Sequence, residues 1–420
     1  VRIAHCADLH QLPTDAADAW QQAHGAGLPV DADLSALAGA DLLIDGLLGL
    51  GANRAPAGLV AEAIAAANAS GRPVLAIDLP SGLSADQGRV LGAQAMRARW
   101  TLSLLTLKPG LFTADGRDHA GEVWLDDLGV TPDPASAWLG AWGVPPEPGF
   151  EPRRHAQHKG SFGDLYVVGG AAGMQGAAWL AARAALTAGA GRVYLSALGP
   201  DSTMPPLPEL MQRRQVWDAD AATLGRSTIV CGCGGGTEVA AVLPALLAHA
   251  GRLLLDADAL NAMARDPALK AQLSMRSAAG VPTLLTPHPL EAARLLGTSA
   301  ADVQADRLAA AQALAAETGA VVLLKGSGTV IAARARAPWI NASGNAALAA
   351  PGSGDVLAGW IGGLWARQPA PGDDAAWRVA RAGAWLHGHA ADLHLAARRG
   401  AAHLPLRAHD LIDAMAAALD

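Results

Sequence analysis

Residues 349–360, AAPGSGDVLAGW, place glycines and one carboxylate directly before an apolar run that predicts a buried helix. Gly352, Ser353, Gly354 and Asp355 occupy four consecutive positions of this stretch. The N–H groups of a helix's first turn are unpaired and carry partial positive charge, and glycines let an anion approach them closely. The stretch therefore predicts an anion-binding turn, in which Asp355 is a candidate base for a hydroxyl that attacks phosphorus.

The same residues have a plainer interpretation, in which the glycines form a turn and Asp355 only stabilises the helix dipole. A second glycine-rich loop, LLKGSGT at 323–329, closes a predicted strand with Lys325 and suits a nucleotide phosphate or ribose. Neither loop is specific alone. Both lie at predicted strand–helix junctions of the second half, which favours a nucleotide site.

Short apolar strands alternate with Ala- and Leu-rich helical runs, which predicts βαβ units, mostly parallel sheets and an α/β fold. In the first half, two strands are predicted at DLLIDGLLG and PVLAIDLPSG, with a helix between them. In the second half, six strands are predicted at DLYVVGG, RVYLSAL, STIVCGCG, RLLLDAD, PTLLTPH and AVVLLKG.

Ligands of open α/β sheets bind beyond the carboxyl ends of the strands, so polar residues at those ends are candidate site residues. They are Asp45, Asp78, Asp256, Asp258, His288 and Lys325. Helix capping is the alternative for two of them. Asp258 is a candidate N-cap, and His288 precedes Pro289 with Glu291 placed for a capping box.

Composition indicates a globular protein of two domains. The chain has 420 residues, of which 51% are hydrophobic and 16% are charged, and a net charge of −7. It contains no cluster of Lys and Arg, so nucleic acid is not an expected partner. It also has no apolar run of membrane-spanning length, so we expect no membrane partner.

The three cysteines, Cys6, Cys231 and Cys233, are odd in number and indicate a reducing, cytoplasmic compartment. The C-x-C pair lacks a second ligand pair at zinc-site spacing, so we do not expect it to bind metal. The chain starts at VRIAHCADLH, in a predicted strand and without Met, which favours a truncated record of a longer protein.

A proline-rich stretch divides the chain, because proline at this density continues neither a helix nor an interior strand. Six prolines lie between positions 131 and 158: Pro132, Pro134, Pro145, Pro146, Pro148 and Pro152. We predict domains at 1–135 and 158–420, joined by a linker at 136–157.

Several motifs in order resemble the bifunctional NAD(P)H-hydrate repair enzymes. Residues 158–420, with HKGSFG, DADALN, LLTPHPLEAARLLG, LLKGSGTVI and PGSGDVLAGWIGGLWA, are similar to the family's ADP- or ATP-dependent NAD(P)H-hydrate dehydratase domain. That resemblance implies a ribokinase-like α/β domain. DLLIDGLLGLGANRAP and PVLAIDLPSGLSADQGRV resemble the NAD(P)H-hydrate epimerase domain, which implies a Rossmann-like three-layer first half.

The resemblance also implies functional residues. Those for the nucleotide are Lys325, Gly326, Ser327, Gly328, Thr329 and Gly354. Those for the substrate in the dehydratase half are Ala177, Gly234, His288 and Asp355, with Asp355 catalytic. In the epimerase half, Asp45 and Ser81 would hold K⁺. The substrate there would contact Gly49, Leu50, Gly51, Ala52, Asn53, Arg54, Ala55 and Asp78.

The chain departs from the family's pattern at three places. Leu290 and Pro351 stand where the family usually has glycine. An N-terminal helical segment and an Asn/Gly-rich phosphate loop, NNGGDG, are absent from the first half. We therefore expect dehydratase activity, and slow epimerisation at best.

The chemistry that the resemblance implies starts from a hydroxyl added to the nicotinamide ring of NADH or NADPH (NADHX and NADPHX). Phosphorylation makes that hydroxyl a leaving group, with ADP or ATP as donor, Asp355 as base and Mg²⁺ assisting. With ADP, the products would be AMP and phosphate. A ribokinase-like kinase for a vitamin or sugar and a non-catalytic nucleotide-binding scaffold are the alternatives. We also expect a homo-oligomer.

Overall fold

The computed structural model describes residues 1–6, 8–31, 33–131, 133, 153–199, 207–369, 372–398 and 404–419. The chain forms two compact units, Val1–Ser136 and Ala137–Asp420. Most of the predicted linker, from 136 to 152, lies outside the described residues. The domain boundaries therefore stay a prediction.

The first unit contains two parallel sheets. Its elements are β1 (Ile3–Ala4), α1 (Thr14–Gly25), β2 (Val30–Asp31), β3 (Leu43–Asp45), α2 (Gly58–Ala69), β4 (Val74–Ile77), β5 (Trp100–Leu104), α3 (Gly116–His119) and β6 (Glu122–Asp126). β1 pairs with β2, and the larger sheet has the order β3-β4-β5-β6. Both acidic strand ends of this half therefore lie at one sheet edge, since Asp45 ends β3 and Asp78 follows β4.

Helix α2 packs on one face of the larger sheet. Ile64 and Ala67 of the helix form a buried cluster with Leu43, Val74 and Met96. This packing fixes the start of the loop that follows β3, because Leu47 contacts the same cluster.

The second unit is built on one nine-stranded sheet. Its strands are β7 (Asp164–Gly169), β8 (Arg192–Ala197), β9 (Met211–Gln212), β10 (Thr228–Cys231), β11 (Arg252–Leu255), β12 (Thr283–Leu285), β13 (Val321–Leu324), β14 (Val330–Ala332) and β15 (Trp339–Ile340). Their order is β15-β14-β13-β12-β11-β10-β7-β8-β9, and only the β13–β14 and β14–β15 pairs are antiparallel.

Eleven helices of the described residues surround this sheet. They are α4 (Gln175–Thr187), α5 (Ala221–Arg226), α6 (Val239–His249), α7 (Ala257–Arg265), α8 (Pro267–Ala278), α9 (Pro289–Leu296), α10 (Ala300–Ala305), α11 (Arg307–Thr318), α12 (Ser353–Ala366), α13 (Asp373–Ala397) and α14 (Ala408–Ala417). Successive residues of a strand point to opposite faces of the sheet, and in the central strands both faces are buried, as Leu165 and Tyr166 of β7 show. This explains why the strands read as continuous apolar runs rather than as alternating ones.

The predicted α/β fold with mostly parallel sheets is confirmed, and each of the eight quoted strand segments contains a strand. The short strands β2, β9, β14 and β15 were not predicted, nor were β5 and β6. Among the described residues, the structure has no helix with the length and apolarity needed to cross a membrane.

Glycine lets α12 approach α4 closely. A Cβ on Gly359 would lie 2.0 Å from the carbonyl oxygen of Ala181, and a Cβ on Gly363 would lie 2.5 Å from that of Ala185. Because α12 begins at the glycine-rich turn, this contact positions the turn relative to the sheet.

We expect Gly359→Ala to lower the free energy of unfolding by about 2 kcal/mol, because the added methyl group forces α12 away from the backbone of α4. Gly176→Ala is the matched control, since a Cβ there meets nothing within 4 Å. That variant should be neutral or more stable. Denaturant unfolding of both measures the difference, and equal stability would contradict the close contact.

Candidate active site

The glycine-rich turn forms the N-terminus of α12. Gly352 is the N-cap, with a φ of +85° that favours glycine. Ser353, Gly354 and Asp355 form the helix's first turn, so they lie inside the helix, whereas the sequence placed them just before it. The first-turn N–H groups that would bind an anion are thus those of these residues.

Two side-chain contacts hold this turn in place. The Ser353 hydroxyl donates to the Leu348 carbonyl at 2.9 Å, and His387 Nε2 lies 3.0 Å from the Ser353 carbonyl. A carbonyl only accepts, so Nε2 carries the proton. Burial lowers the pKa of His387 to about 4, which keeps the ring neutral at neutral pH.

The Asp355 carboxylate lies beside two other groups that could ligate a metal. One oxygen of Asp355, one oxygen of Asp256 and the Cys233 sulfur all lie within 4.8 Å of one another. Burial, and then the negative charge of Asp256, raise the pKa of Asp355 to about 6; the Cys233 thiol and Lys325 oppose the rise. A carboxylate with this pKa is largely ionised at neutral pH and is a stronger base than an exposed aspartate.

Lys325 follows β13 and forms an ion pair with Asp256, which follows β11. Its Nζ atom lies 2.7 Å from Asp256 Oδ1, and the Thr286 hydroxyl donates to the same oxygen at 2.7 Å. Burial lowers the pKa of Lys325, but the negative charges of Asp256 and Glu291 together raise it by more, so the net shift of the pKa is upward. A Cβ on Gly354 would lie 3.4 Å from Lys325 Nζ. The lysine therefore lies next to the glycine-rich turn.

The loop after Lys325 is held by Arg307, a fully buried residue that the sequence analysis missed. Its guanidinium donates to the carbonyl of Lys325 at 3.1 Å and to that of Leu324 at 3.3 Å. Gly326 has a φ of +134°, and a Cβ there would lie 2.9 Å from the same guanidinium. Gly328 also has a positive φ, and Thr329 Oγ1 donates to the Gly326 carbonyl at 3.3 Å. Ser327 is exposed at the tip of this loop.

His288 caps α9, as the alternative interpretation predicted. Its Nδ1 accepts from the N–H groups of Leu290 and Glu291, at 3.1 and 3.3 Å, and Glu291 accepts from the His288 N–H at 2.8 Å. Burial raises the pKa of Glu291 to about 7, despite the opposing charge of Lys325. Burial, followed by Lys325, lowers the pKa of His288. The cap and the substrate role are compatible, because the His288 side chain is 45% exposed.

The alternative interpretation of Asp258, as the N-cap of its helix, was wrong. The N-cap of α7 is Asp256, and Asp258 lies in the first turn. Its carboxylate accepts instead from the Gly236 N–H at 2.9 Å, so it holds the glycine-rich loop after β10. That contact joins segments 22 residues apart.

Ala177 and Gly234 lie next to each other, and Gly234 directly follows Cys233, whose sulfur is within 4.8 Å of an Asp355 carboxylate oxygen. Gly234 has a φ of +57°, and a Cβ there would lie 3.0 Å from Ala177 Cβ. The Gly234 carbonyl also accepts from the Ala171 N–H at 2.7 Å. The structure thus brings these two predicted substrate residues together at the edge that carries Asp355 and His288.

In the first unit, Asp45 and Ser81 meet directly. Asp45 accepts from the Ser81 hydroxyl at 2.6 Å and from the Ser81 N–H at 2.8 Å, and the Leu48 N–H donates to the same hydroxyl at 2.9 Å. Burial raises the pKa of Asp45, and these hydrogen bonds oppose the rise. The residues fit K⁺ in chemistry, since both offer buried oxygens. The predicted loop, residues 49–55, follows and is mostly exposed.

Asp78 has a partner that the sequence analysis missed. It has a φ of +71° and accepts from the Leu104 N–H at 3.1 Å. The buried Lys108 donates to the same carboxylate oxygen and, at 2.6 Å, to the Leu104 carbonyl.

Two family models match the chain: NAD(P)H-hydrate dehydratase over residues 165–414, and YjeF-related protein N-terminus over residues 1–110.

Curated relatives match both units. A bifunctional NAD(P)H-hydrate repair enzyme of Escherichia coli is 37% identical over 86% of this chain and 68% of its own length. One of Leishmania major is 37% identical over 96% of this chain and 77% of its own length. Among solved structures, an ADP/ATP-dependent NAD(P)H-hydrate dehydratase of Bacillus subtilis, co-crystallised with ATP and Mg²⁺, has a TM-score of 0.53 and 30% identity. The match covers 64% of this chain and 93% of that one.

The neutral, buried His387 predicts a pH dependence of stability. Its pKa falls from 6.5 to about 4 on folding, so the unfolded chain takes up its proton first as the pH drops. The contribution of the neutral His387 ring to the free energy of unfolding is therefore complete above pH 6.5 and is lost as the pH falls towards 4. Relative to His387→Gln, which keeps a donor for Ser353, wild type should lose ~3 kcal/mol of unfolding free energy between pH 7 and 4.

Denaturant unfolding of both proteins at each pH gives this difference, and subtracting the two curves removes the contributions of other titrating groups. Parallel curves for wild type and His387→Gln would show that the ring is not held neutral in the folded protein.

Proposed function

Because the chain belongs to the family of bifunctional NAD(P)H-hydrate repair enzymes, we propose that its second unit dehydrates NADHX and NADPHX at the expense of a nucleotide. The observation that carries the proposal is the position of Asp355. Its carboxylate has a raised pKa and lies in the first turn of a helix whose amides bind anions, with Lys325 beside that turn.

In the proposed reaction, Asp355 takes the proton of the substrate's added hydroxyl as that oxygen forms a bond to the terminal phosphorus of the nucleotide. The donor's bridging P–O bond breaks, so ADP would leave AMP. The ring nitrogen then expels the new phosphate, and loss of a proton from the neighbouring ring carbon restores the dihydronicotinamide. The amides of the glycine-rich turn and Lys325 stabilise the charge of the transferred group.

Mg²⁺ fits this site through the carboxylate of Asp256, since Mg²⁺ prefers oxygen ligands, and the nearby Asp355 carboxylate stays available to accept the proton. The Cys233 thiol is no ligand for it, because burial and the nearby carboxylates raise its pKa and keep it protonated. When bound, Mg²⁺ would neutralise phosphate charge. Lys325 and residues 326–329 bind the donor, with Gly354; Ala177, Gly234 and His288 bind the hydrate.

We propose that the first unit interconverts the R and S hydrates at Asp78, with K⁺ at Asp45 and Ser81. Assembly into a homo-oligomer and a cytoplasmic location stay predictions from the sequence.

Asp355→Asn should lower kcat of dehydration at least ~10²-fold, because the amide keeps the size of the side chain and lacks the proton acceptor. Nucleotide binding should persist, since the helix amides and Lys325 remain. The measurement is the recovery of dihydronicotinamide absorbance from hydrated NADH with ADP or ATP. The rise of kcat/KM with pH in wild type should have its midpoint near 6, where Asp355 loses its proton.

Asp373→Asn is the matched control, because Asp373 also lies in a helix's first turn and has a pKa that burial raises. It should turn over normally. A normal rate in Asp355→Asn with a lowered melting temperature would reduce Asp355 to a helix-end charge. Absence of recovery with either nucleotide in wild type would refute the dehydratase proposal, and release of a phosphorylated product would favour a kinase.

Asp78→Asn should abolish epimerisation and leave dehydration of the S hydrate unchanged. Lys108→Gln should slow epimerisation about tenfold, because it removes the ammonium that orients the carboxylate. Chromatographic separation of the two hydrates over time measures both. Arg99→Gln is the control, since the guanidinium of Arg99 stacks on Trp100, the first residue of β5, away from the carboxyl ends of the strands. Unchanged epimerisation in Asp78→Asn would remove Asp78 from the site.

A further inference from the structure

The order of the strands shows which loops lie on each side of the proposed reaction centre. Lys325 follows β13, His288 follows β12, Asp256 follows β11 and Gly234 follows β10. The next strand in the sheet is β7, whose following loop leads to Ala177. If the donor binds at β13 and the reacting ring lies at Asp355, the side of the site away from the donor leads past β7.

The strand beyond β7 is β8, and its carboxyl end opens into a cleft of about 330 Å³. The cleft is lined by Leu198, Gly199, Gln212, Arg214, Gln215 and Trp217, among others. It lies two strand spacings from β10, roughly 10 Å. That separation is within reach of the pyrophosphate and riboses that join the two bases of the substrate.

The wall of this cleft is a rigidly held segment. The fully buried Ser196 donates to the Arg213 carbonyl at 2.5 Å and accepts from the Val216 N–H at 3.1 Å. Gln215, between them, has a φ of +49°, a left-handed conformation that non-glycine residues rarely adopt. Such strain persists only where surrounding contacts enforce it, and it concentrates at binding sites.

The floor of the cleft is continuous with the loop that carries the proposed substrate contacts. The Leu198 N–H donates to the Gly169 carbonyl at 2.9 Å, and the Gly199 N–H donates to the Gly170 carbonyl at 3.3 Å. A Cβ on Gly199 would lie 2.8 Å from the backbone nitrogen of Ala172. The loop after β8 therefore packs directly on the loop after β7, which leads to Ala177.

Two side chains give the cleft its chemistry. Trp217 is half-buried and lines the cleft, and an indole ring is a surface on which a nucleobase can stack. Arg214 is exposed and is the charged residue that lines the cleft. A guanidinium binds phosphate through paired, charge-assisted hydrogen bonds. NADPHX differs from NADHX by one phosphate on the adenosine ribose.

Resting on the proposed dehydratase function, we propose that this cleft binds the adenosine half of the hydrate. Trp217 stacks on the adenine, and Arg214 binds the 2′-phosphate. The chain's dehydratase unit therefore prefers NADPHX to NADHX, and the preference comes from Arg214.

The test measures KM and kcat for both hydrates with saturating nucleotide and Mg²⁺. Arg214→Gln should raise KM for NADPHX about tenfold, leave KM for NADHX within twofold and leave kcat unchanged. Trp217→Ala should raise KM for both hydrates about tenfold, and Trp217→Phe should largely restore it. Arg226→Gln is the control, because Arg226 is exposed and precedes β10 at the opposite edge of the sheet. It should change neither KM.

Equal changes of KM for the two hydrates in Arg214→Gln, or none, would overturn the assignment of Arg214. Unchanged KM in Trp217→Ala would overturn the cleft as the adenosine site. Calorimetric binding of NADPH and NADH to the same proteins separates this inference from the proposed function, because it needs no turnover. Loss of tighter NADPH binding in Arg214→Gln supports the cleft even if wild type dehydrates nothing, and equal binding in wild type overturns it.

Discussion

The ion pair between Lys325 and Asp256 links the parts of the second unit's site. It joins the ends of β13 and β11, with β12 between them, and Thr286 at the end of β12 shares the same carboxylate oxygen. A buried charge without its partner is strongly unfavourable, so each residue of the pair holds the other at the sheet edge. The position of Lys325 beside Gly354 follows from this pairing, and so does much of the electrostatic environment of Asp355.

The same pair gives Asp256 and Lys325 opposing effects on Asp355. Asp256 raises the pKa of Asp355 and Lys325 lowers it, while burial dominates both. An unpaired lysine would favour the ionised carboxylate and make it a weaker base. An unpaired aspartate would raise the pKa of Asp355 and favour its protonated form. Because Lys325 opposes the effect of Asp256, the pKa of Asp355 stays at about 6, so the carboxylate is ionised at neutral pH and still accepts a proton readily.

The sequence was sufficient to predict those features that depend on a local pattern of residues. The quoted strands, the two glycine-rich loops and the capping box at His288 are all encoded within a few residues, and the structure has them. It was insufficient where a side chain acts across the fold. Asp258 is of a residue type that often forms N-caps, but its carboxylate binds the N–H of Gly236, 22 residues earlier in the chain. Arg307 and Lys108 support their loops from distant segments, and nothing in their local sequence distinguishes them from surface cations.

Burial explains both kinds of missed residue and connects them to the chemistry. Arg307 and His387 lie behind the two glycine-rich segments, where the Arg307 guanidinium donates to the carbonyl of Lys325 and His387 Nε2 donates to that of Ser353. A neutral ring suits the position of His387, because a second cation near Lys325 would lower the pKa of Asp355 and weaken the base. The glycines let anions approach the backbone from the front, and these buried side chains fix the backbone from behind. The anion-binding turn therefore depends on the glycine-rich motif and also on the buried side chains behind it, and the local sequence motif contains only the first of these.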